Sequence, residues 1–195
     1  VYIGGALNIN YAMFDVKMHA GTAEFGLPYP PYLWVVDLGQ YEESMTGWGF
    51  GGALGILFKR DDILSLGLTF RTRSNVKFDG EAQISNFGQL GLKTTSPLKR
   101  NITWPYWMAV GLAVKLMPKL IVSADVQFTG WKKIDWLVTQ YTDPYWQQIM
   151  EMEEQTRRWM DWKSQTQFRV GAEYKLTDRL ALRGGYYLDP SPVPD

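Results

Sequence analysis

The stretch from residue 46 to residue 58 alternates strictly between bulky apolar side chains and very small ones. The even positions carry Trp48, Phe50, Leu54, Ile56 and Phe58, and the odd positions carry Gly47, Gly49, Gly51, Ala53 and Gly55. Successive side chains of a β-strand point to opposite faces, so a period of two predicts a strand. This strand has one apolar face and one almost bare face.

The same period recurs along the whole chain and predicts about seven strands. In the next stretch, Leu64 to Phe78, the even apolar residues share one face, and the other face carries Arg71, Arg73 and Lys77. The fold class is therefore all-β and antiparallel. The seven predicted strands lie within residues 1–13, 46–58, 64–78, 102–116, 120–128, 165–176 and 180–188.

The connections between these strands alternate between short and long. Tight turns at 59–62, 117–119 and 177–179 take turns with long segments at 19–45, 79–101 and 137–161. Short turns on one side and long loops on the other are typical of outer-membrane barrels. The apolar faces also run for about ten residues, enough to cross the ~25 Å lipid-facing band when strands are tilted. A soluble sandwich or a lipocalin-like barrel would alternate as well, but rarely needs strands this long.

Composition argues against several classes of function. Basic and acidic residues number 20 each, so the chain has no net field that would attract nucleic acid. There is no cysteine and only one histidine, His19, which leaves few ways to build a metal centre or a catalytic dyad. We therefore expect no enzyme activity, no cofactor and no metal.

Strand number bears on completeness. The chain begins with Val1, and both its first and last predicted strands run towards the long-loop side. Bacterial barrels have an even number of strands with both ends on the short-turn side. We expect residues 1–195 to be one partial barrel domain, an up-and-down transmembrane β-barrel that is incomplete at both ends.

Three segments resemble the FadL-type outer-membrane transporters: GWGFGGALGILFKRDDILSLGLTFRTRSNVKFDGEA (47–82), LIVSADVQFTGWKKID (120–135) and FRVGAEYKLTDRLALRGGYYLDPSPVPD (168–195). The resemblance implies a barrel of about fourteen strands with an N-terminal hatch, of which this chain looks like the middle half. It also implies location in the outer membrane of a Gram-negative cell and uptake of long-chain fatty acids or, in some branches, of aromatic hydrocarbons such as toluene. The expected partners are a hydrophobic small molecule and outer-membrane lipid, and we expect a monomer.

A fatty acid carboxylate needs a cationic partner, so Arg71, Arg73, Lys77 and Arg169 are the candidate ligand-binding residues of the lumen. Turn geometry predicts that Gly51 and Gly49 face Arg71 and Arg73 and leave room there. The same reasoning places Glu173 opposite Arg183, Gly111 opposite Asp125, and Arg169 opposite Tyr187 and near Asp125. These cations could equally line a polar wall without binding a ligand.

Apolar side chains in the long segments suggest a surface that captures ligand. Asp143 and Pro144 predict the start of a helix, on which Trp146, Ile149 and Met150 fall at helical spacing. Trp34 adds apolar surface to the first long segment. Exposed at the mouth of a barrel, these side chains would bind a hydrophobic ligand; alternatively, the loops pack on one another.

Competing functions remain open at this stage. Uptake of a fatty acid is the leading hypothesis, because a neutral aromatic hydrocarbon would leave the inward cations uncompensated. A structural or adhesion barrel whose loops bind a partner, and a general porin, are the further alternatives.

Overall fold

The computed structural model describes residues 1–28, 31–134 and 136–194, with only the backbone described at 25–28 and 31–34. Two antiparallel sheets, one short helix and two 3-10 turns make up the described chain. The strands are β1 (Tyr2–His19), β2 (Thr22–Pro28), β3 (Pro31–Asp37), β4 (Gln40–Arg60), β5 (Leu64–Arg71), β6 (Ser74–Ile84), β7 (Thr95–Trp104), β8 (Trp107–Met117), β9 (Leu120–Thr129), β10 (Trp136–Tyr141), β11 (Arg157–Trp159), β12 (Gln165–Thr177) and β13 (Leu180–Leu188). Helix α1 spans Pro144–Met152, and the 3-10 turns span Phe87–Leu90 and Trp131–Lys133.

Most of the strands form one sheet of 11 strands. Its order is β11-β10-β7-β6-β4-β5-β8-β9-β12-β13, with β1 along the other side of β4, and β2 pairs with β3 as a separate ribbon. Strands β5 and β6 follow one another along the same edge of β4, and β8 and β7 continue alongside them. When β5 with β6 and β7 with β8 are each counted as one interrupted strand, the sheet contains seven long strands and, at one edge, the short strands β10 and β11.

One face of the sheet carries a continuous apolar band, and we call it the outer face. Its residues are strongly exposed: Leu7 is 93% exposed, Phe50 67% and Leu68 49%. We call the end of the sheet nearer the long segments its upper end, and the end nearer the short turns its lower end. Aromatic rings run along the upper edge of the band, where Tyr11 packs against Trp48 with 4.8 Å between ring centroids. Tyr106 lies between Phe70 and Phe128, at 6.4 and 6.2 Å. We call this edge the aromatic boundary.

The opposite, inner face is polar or small in the lower half of the sheet. The register aligns Asn8 with Gly51, Gly111 with Asp125, and Asp125 with Arg169. Each long strand of the lower half therefore alternates between an apolar outer position and a small or polar inner one.

Between β5 and β6 the alternation shifts by one residue. Ala53 of β4 lies opposite Arg71, but Phe50 lies opposite Asn75, so two β4 residues face three on the partner strand. This extra residue is a β-bulge, which reverses the side-chain faces beyond it. The side-chain faces also reverse between β7 and β8. Trp104 pairs with the inward Ser74 and Trp107 with the inward Arg71, although the two tryptophans are an odd number of residues apart.

Because of this bulge, the predicted faces are wrong for the residues beyond Thr72. Leu64 to Phe70 do lie on the outer face, as predicted, but Val76 and Phe78 lie on the inner face and are 0% and 4% exposed. Ile102 and Trp104 have also moved to the inner face. The physical reason is that these segments extend beyond the apolar band, where the outer face meets water and the apolar side chains pack inside.

Above the aromatic boundary the inner face forms a hydrophobic core that is covered by α1. Trp146 is 1% exposed and packs edge-on against Phe87, with 5.1 Å between ring centroids. The buried residues of this upper core are Tyr41, Met45, Val76, Phe78, Ala82, Ile84, Phe87, Leu98, Tyr141, Trp146 and Met150. Truncating a tryptophan in such a core to alanine typically costs about 3–5 kcal/mol.

The sequence starts α1 as predicted. The Asp143 carboxylate accepts hydrogen bonds from the backbone N–H groups of Tyr145 and Trp146, and Pro144 occupies the first turn. The long segments are folded rather than open loops, because they contain β2, β3, β10, α1 and β11. Within the described residues, no helix is long and apolar enough to cross a membrane.

Candidate ligand-binding site

The lower inner face is floored by small residues from neighbouring strands. They alternate with the outward apolar side chains on β4, β5, β8 and β12. Because the inward side chains of this floor are glycine and alanine, a ligand on this face would lie over backbone and short side chains. The floor consists of Gly51, Ala53, Gly55, Gly67, Ala109, Gly111, Ala113 and Gly171.

Arg71 lies at the upper end of this floor. It is the last residue of β5, is half-buried, and has Ala53 and Trp107 as its neighbours across the strands. Among the described residues it forms no salt bridge. Arg71 is therefore an inward cation with charge to offer a ligand.

Arg73 and Lys77 do not lie where the sequence predicted. Lys77 is exposed on the outer face, opposite Trp48. Arg73 is exposed and immediately precedes Ser74, which is 5% exposed and points inward. The bulge reverses the face at this point, so the predicted inward cluster is reduced to Arg71.

The space predicted beside Gly49 and Gly51 is found only at Gly51, where a Cβ would lie 3.5 Å or more from its neighbours. Gly49, and Gly47 before it, have no such space. A Cβ on Gly49 would lie 2.7 Å from a Val76 methyl group, and one on Gly47 would lie 2.5 Å from the Lys77 carbonyl oxygen. Distances this short show that the backbone of β6 fills the space. These glycines allow two strands to approach closely and do not make room for long cations.

Arg169 is on the inner face, as predicted, but it is already paired. Its guanidinium donates to the Asp125 carboxylate at 3.2 Å and to the side-chain oxygens of Gln127 and Gln167 at 3.3 and 2.8 Å. Tyr187 lies opposite, and Gly111 lies opposite Asp125, both as predicted. The Asp125 carboxylate offsets the charge that would attract a ligand anion.

Nearer the short turns, Glu173 and Arg183 form the predicted cross-strand pair. Arg183 Nε donates to the Glu173 carboxylate at 2.6 Å, and the Arg183 side chain is 74% exposed. A pair this wet contributes little to stability, below about 1 kcal/mol.

Two asparagines of β1 complete the lower face. Asn10 donates from its amide nitrogen to Ser74 Oγ at 3.0 Å. The Asn8 amide nitrogen is buried without a hydrogen-bond partner among the described residues. Asn8 and Arg71 flank the small β4 residues Gly51 and Ala53 from opposite sides.

The helix residues predicted to form an exposed capture surface are buried or partly buried. Trp146 and Met150 are 1% and 7% exposed in the upper core, and Ile149 packs against it. The open alternative, that the loops pack on one another, describes these three residues. The side chain of Trp34 lies outside the described residues, so its predicted role stays a prediction.

Sequence reasoning missed a buried polar network in the upper core. Arg100 makes a bidentate ion pair with Glu43, with N–O distances of 2.6 and 2.9 Å, and its Nε donates to Thr139. Tyr41 donates to Glu43 at 2.7 Å, and its hydroxyl lies 3.1 Å from that of Tyr141. The signal available in the sequence was the alternation of Ser96, Leu98, Arg100 and Ile102.

Comparison with known proteins identifies the family of this chain. The sequence model of the family described as outer membrane protein transport protein (OMPP1/FadL/TodX) matches residues 1–195. Outer membrane protein P1 of Haemophilus influenzae is 22% identical over 153 residues, which cover 75% of this chain and 30% of that protein. The chain thus spans less than a third of the length of this curated relative.

Solved structures show the same fold. A Pseudomonas aeruginosa FadL homologue superposes with a TM-score of 0.75 at 14% identity, over 99% of this chain and 47% of that one. The Ralstonia pickettii toluene transporter TbuX gives a TM-score of 0.66 at 14% identity, over 96% and 51%. The antiparallel sheet with its apolar outer band thus resembles part of the FadL barrels, and the chain belongs to the outer membrane protein transport family that includes FadL and TodX.

Proposed function

We propose that the protein takes up long-chain fatty acids across the outer membrane and that Arg71 binds the carboxylate. The observation that carries this proposal is the unpaired inward guanidinium of Arg71 at the end of the small-residue floor. On the lower inner face the other arginines, Arg169 and Arg183, each have a carboxylate partner, and so does Arg100 in the upper core. Arg71 is therefore the unpaired guanidinium of the lower inner face. The inward lysines without a salt bridge among the described residues, Lys59, Lys115 and Lys175, lie nearer the short turns.

The energetics divide the work between the two ends of the ligand. A charge-assisted hydrogen bond contributes about 1.5–3 kcal/mol, which is roughly a ten- to hundredfold change in affinity. The acyl tail gains up to about 0.8 kcal/mol for each methylene removed from water. The head group sets the orientation of the ligand, and the tail sets most of its affinity.

The test compares oleate with its uncharged methyl ester. We expect Arg71→Ala to weaken oleate binding about ten- to hundredfold and to leave binding of methyl oleate unchanged, because the ester carries no charge. Binding is measured on the purified protein, and oleate uptake is measured in cells. Arg183→Ala is the matched control, since it also removes an inward arginine, but one that is wet and paired.

A second candidate ligand is a monoaromatic hydrocarbon. The observation that favours it is the pairing of the remaining inward arginines, since a neutral ligand leaves such pairs intact. Trp107, opposite Arg71, would offer an aromatic contact. If Arg71→Ala binds oleate normally while saturable toluene uptake is observed, the fatty acid proposal is wrong and this candidate takes its place.

A further inference from the structure

Four polar side chains lie on the outer face directly above the aromatic boundary. Phe70 is the last outward apolar residue of β5, and the bulge then turns the exposed residues Arg73, Asn75 and Lys77 outward. Asn101 of β7 lies opposite Lys77 on the same face. We call these four residues the boundary patch. At about 3.3 Å per residue, Arg73 is roughly 10 Å beyond Phe70 along the strand.

The two cations of the patch are uncommitted. Neither Arg73 nor Lys77 forms a salt bridge with any residue in the described part of the chain. The nearest outward carboxylate along β6, Asp79, lies 3.5 Å from Lys99. Farther up, Glu42 pairs with Lys17. Two further outward carboxylates, Glu81 and Asp15, form no salt bridge among the described residues, but both lie farther from the apolar band than Asp79. The level directly beside the band therefore carries Arg73 and Lys77.

The surroundings of the patch supply hydrogen-bond donors and an apolar wall. Thr103 donates to the Asn75 side-chain oxygen at 2.6 Å, so the Asn75 amide N–H₂ group stays free to donate outward. Asn101 and Thr103 line a shallow depression together with Lys133 and Trp136. Trp48, 56% exposed, stands across from Lys77. An anion with an attached apolar body fits this arrangement.

The position of the patch identifies the occupant. In a membrane, the level just above the apolar band is that of the lipid head groups, and outward basic side chains there attract anionic lipid. Phosphate oxygens accept charge-assisted hydrogen bonds from guanidinium and ammonium groups. We infer that the boundary patch binds the phosphate groups of a phosphorylated glycolipid of the outer leaflet, whose acyl chains lie against Phe50, Leu68 and Phe70 on the outer band.

This site is separate from the proposed uptake path, because it lies on the opposite face of the sheet from Arg71. Its function would be to fix the height of the barrel in the outer leaflet. Each cation near a charged membrane surface contributes about fivefold in affinity. Removing both should therefore weaken binding of the phosphorylated lipid roughly 10- to 30-fold.

The experiment titrates the detergent-purified protein with lipid A that carries both phosphates and counts bound lipid by native mass spectrometry. A parallel titration uses the same lipid with its phosphates removed. We expect Arg73→Gln/Lys77→Gln to lose the tighter binding of the phosphorylated lipid, while Arg73→Lys/Lys77→Arg keeps it. The matched control is Lys59→Gln/Arg60→Gln, which removes two charges at the opposite ends of the strands.

Several outcomes would overturn the inference. The patch binds no phosphate if both lipids bind equally to the unaltered protein, or if the glutamine variant binds like the unaltered protein. An equal loss in the Lys59→Gln/Arg60→Gln control would show that general charge is responsible. Binding of inorganic phosphate alone as tightly as the phosphorylated lipid would show that the site takes free phosphate and gains nothing from the acyl chains. Oleate binding of the patch variant reports on Arg71 separately.

Discussion

Glu43 and Arg100 form an ion pair that is almost entirely removed from solvent. Their side chains are 4% and 10% exposed, and the pair is bidentate. The Arg100 guanidinium also lies 5.6 Å from the centre of the Phe14 ring. A buried pair of this kind adds little net stability by itself, but removing one partner leaves a charge stranded in an apolar environment.

We therefore expect Arg100→Met to lower the free energy of unfolding by about 3–5 kcal/mol, because the Glu43 carboxylate loses its counter-charge. Urea titration of the protein in lipid vesicles measures the change. Arg183→Met is the control, with a loss of about 1 kcal/mol or less, since its pair with Glu173 is wet. Replacing both members, as Glu43→Gln/Arg100→Met, should recover part of the loss. Equal effects of Arg100→Met and Arg183→Met would contradict the burial that this argument uses.

At the scale of elements, α1 is held over the upper core by its first turn. Lys93 Nζ donates to the Asp143 carboxylate at 2.7 Å, and Trp146 Nε1 donates to the Lys93 carbonyl oxygen at 2.8 Å. One loop residue thus contacts both the cap and the anchor of the helix. The hydrogen bond from Lys93 lowers the pKa of the Asp143 carboxyl below its usual value of 3.8; desolvation opposes this shift, and the backbone N–H groups at the helix start add to it.

A folded pKa below the unfolded value means that the ionised carboxylate stabilises the anchored helix above pH 3.8 and that this contribution is lost as pH falls through the folded pKa. We expect the fluorescence of Trp146, taken as the difference from a Trp146→Phe variant, to change reversibly below that pH. Asp143→Asn keeps a side chain that caps a helix but cannot titrate. Its curve should be flat over the same range; a curve with the same transition would assign the change to another group.

The helix and the bulge show what the sequence could and could not predict about elements. The cap at Asp143 depends on adjacent residues, so it is readable from the sequence. The bulge at Thr72 and Arg73 depends on how many residues the neighbouring strand supplies, which no local pattern reports. The even positions are apolar on both sides of the bulge, with Thr72 and Ser74 between, and for that reason the sequence pattern predicts the wrong faces for Val76, Phe78 and Lys77.

The candidate site was only partly predictable for the same reason. A short turn fixes register, so the pair of Glu173 with Arg183 was predictable from residues near a turn. Arg169 and Asp125 lie on β12 and β9, which a long segment connects, so only their presence on adjoining strands was predictable. Arg73 lies at the β-bulge, so the side of the sheet that it faces could not be predicted without knowing of the bulge. Trp146 showed helical spacing, but spacing does not tell whether an apolar helix face meets solvent, a ligand or a neighbouring sheet.

At the scale of the whole molecule, the aromatic boundary divides the sheet into two regimes. Below it the outer face is apolar and the inner face is small or polar, as a wall between lipid and an interior requires. Above it the outer face is polar and the inner face holds a packed core, as in a water-soluble sheet. The bulge allows one strand to serve both halves. It exchanges the faces of the side chains at the level where the surroundings change from lipid to water.

The exchange of faces can be measured directly by scanning β5 and β6 with single nitroxide labels, since the chain contains no cysteine to interfere. In the protein reconstituted in lipid bilayers, we predict that accessibility to oxygen, which partitions into lipid, peaks at positions 64, 66, 68 and 70. Beyond the bulge, accessibility to a water-soluble reagent should peak at 73, 75, 77 and 79, while labels at 74, 76 and 78 are shielded from both. An oxygen peak that continues on the even positions through 76 and 78 would contradict the account.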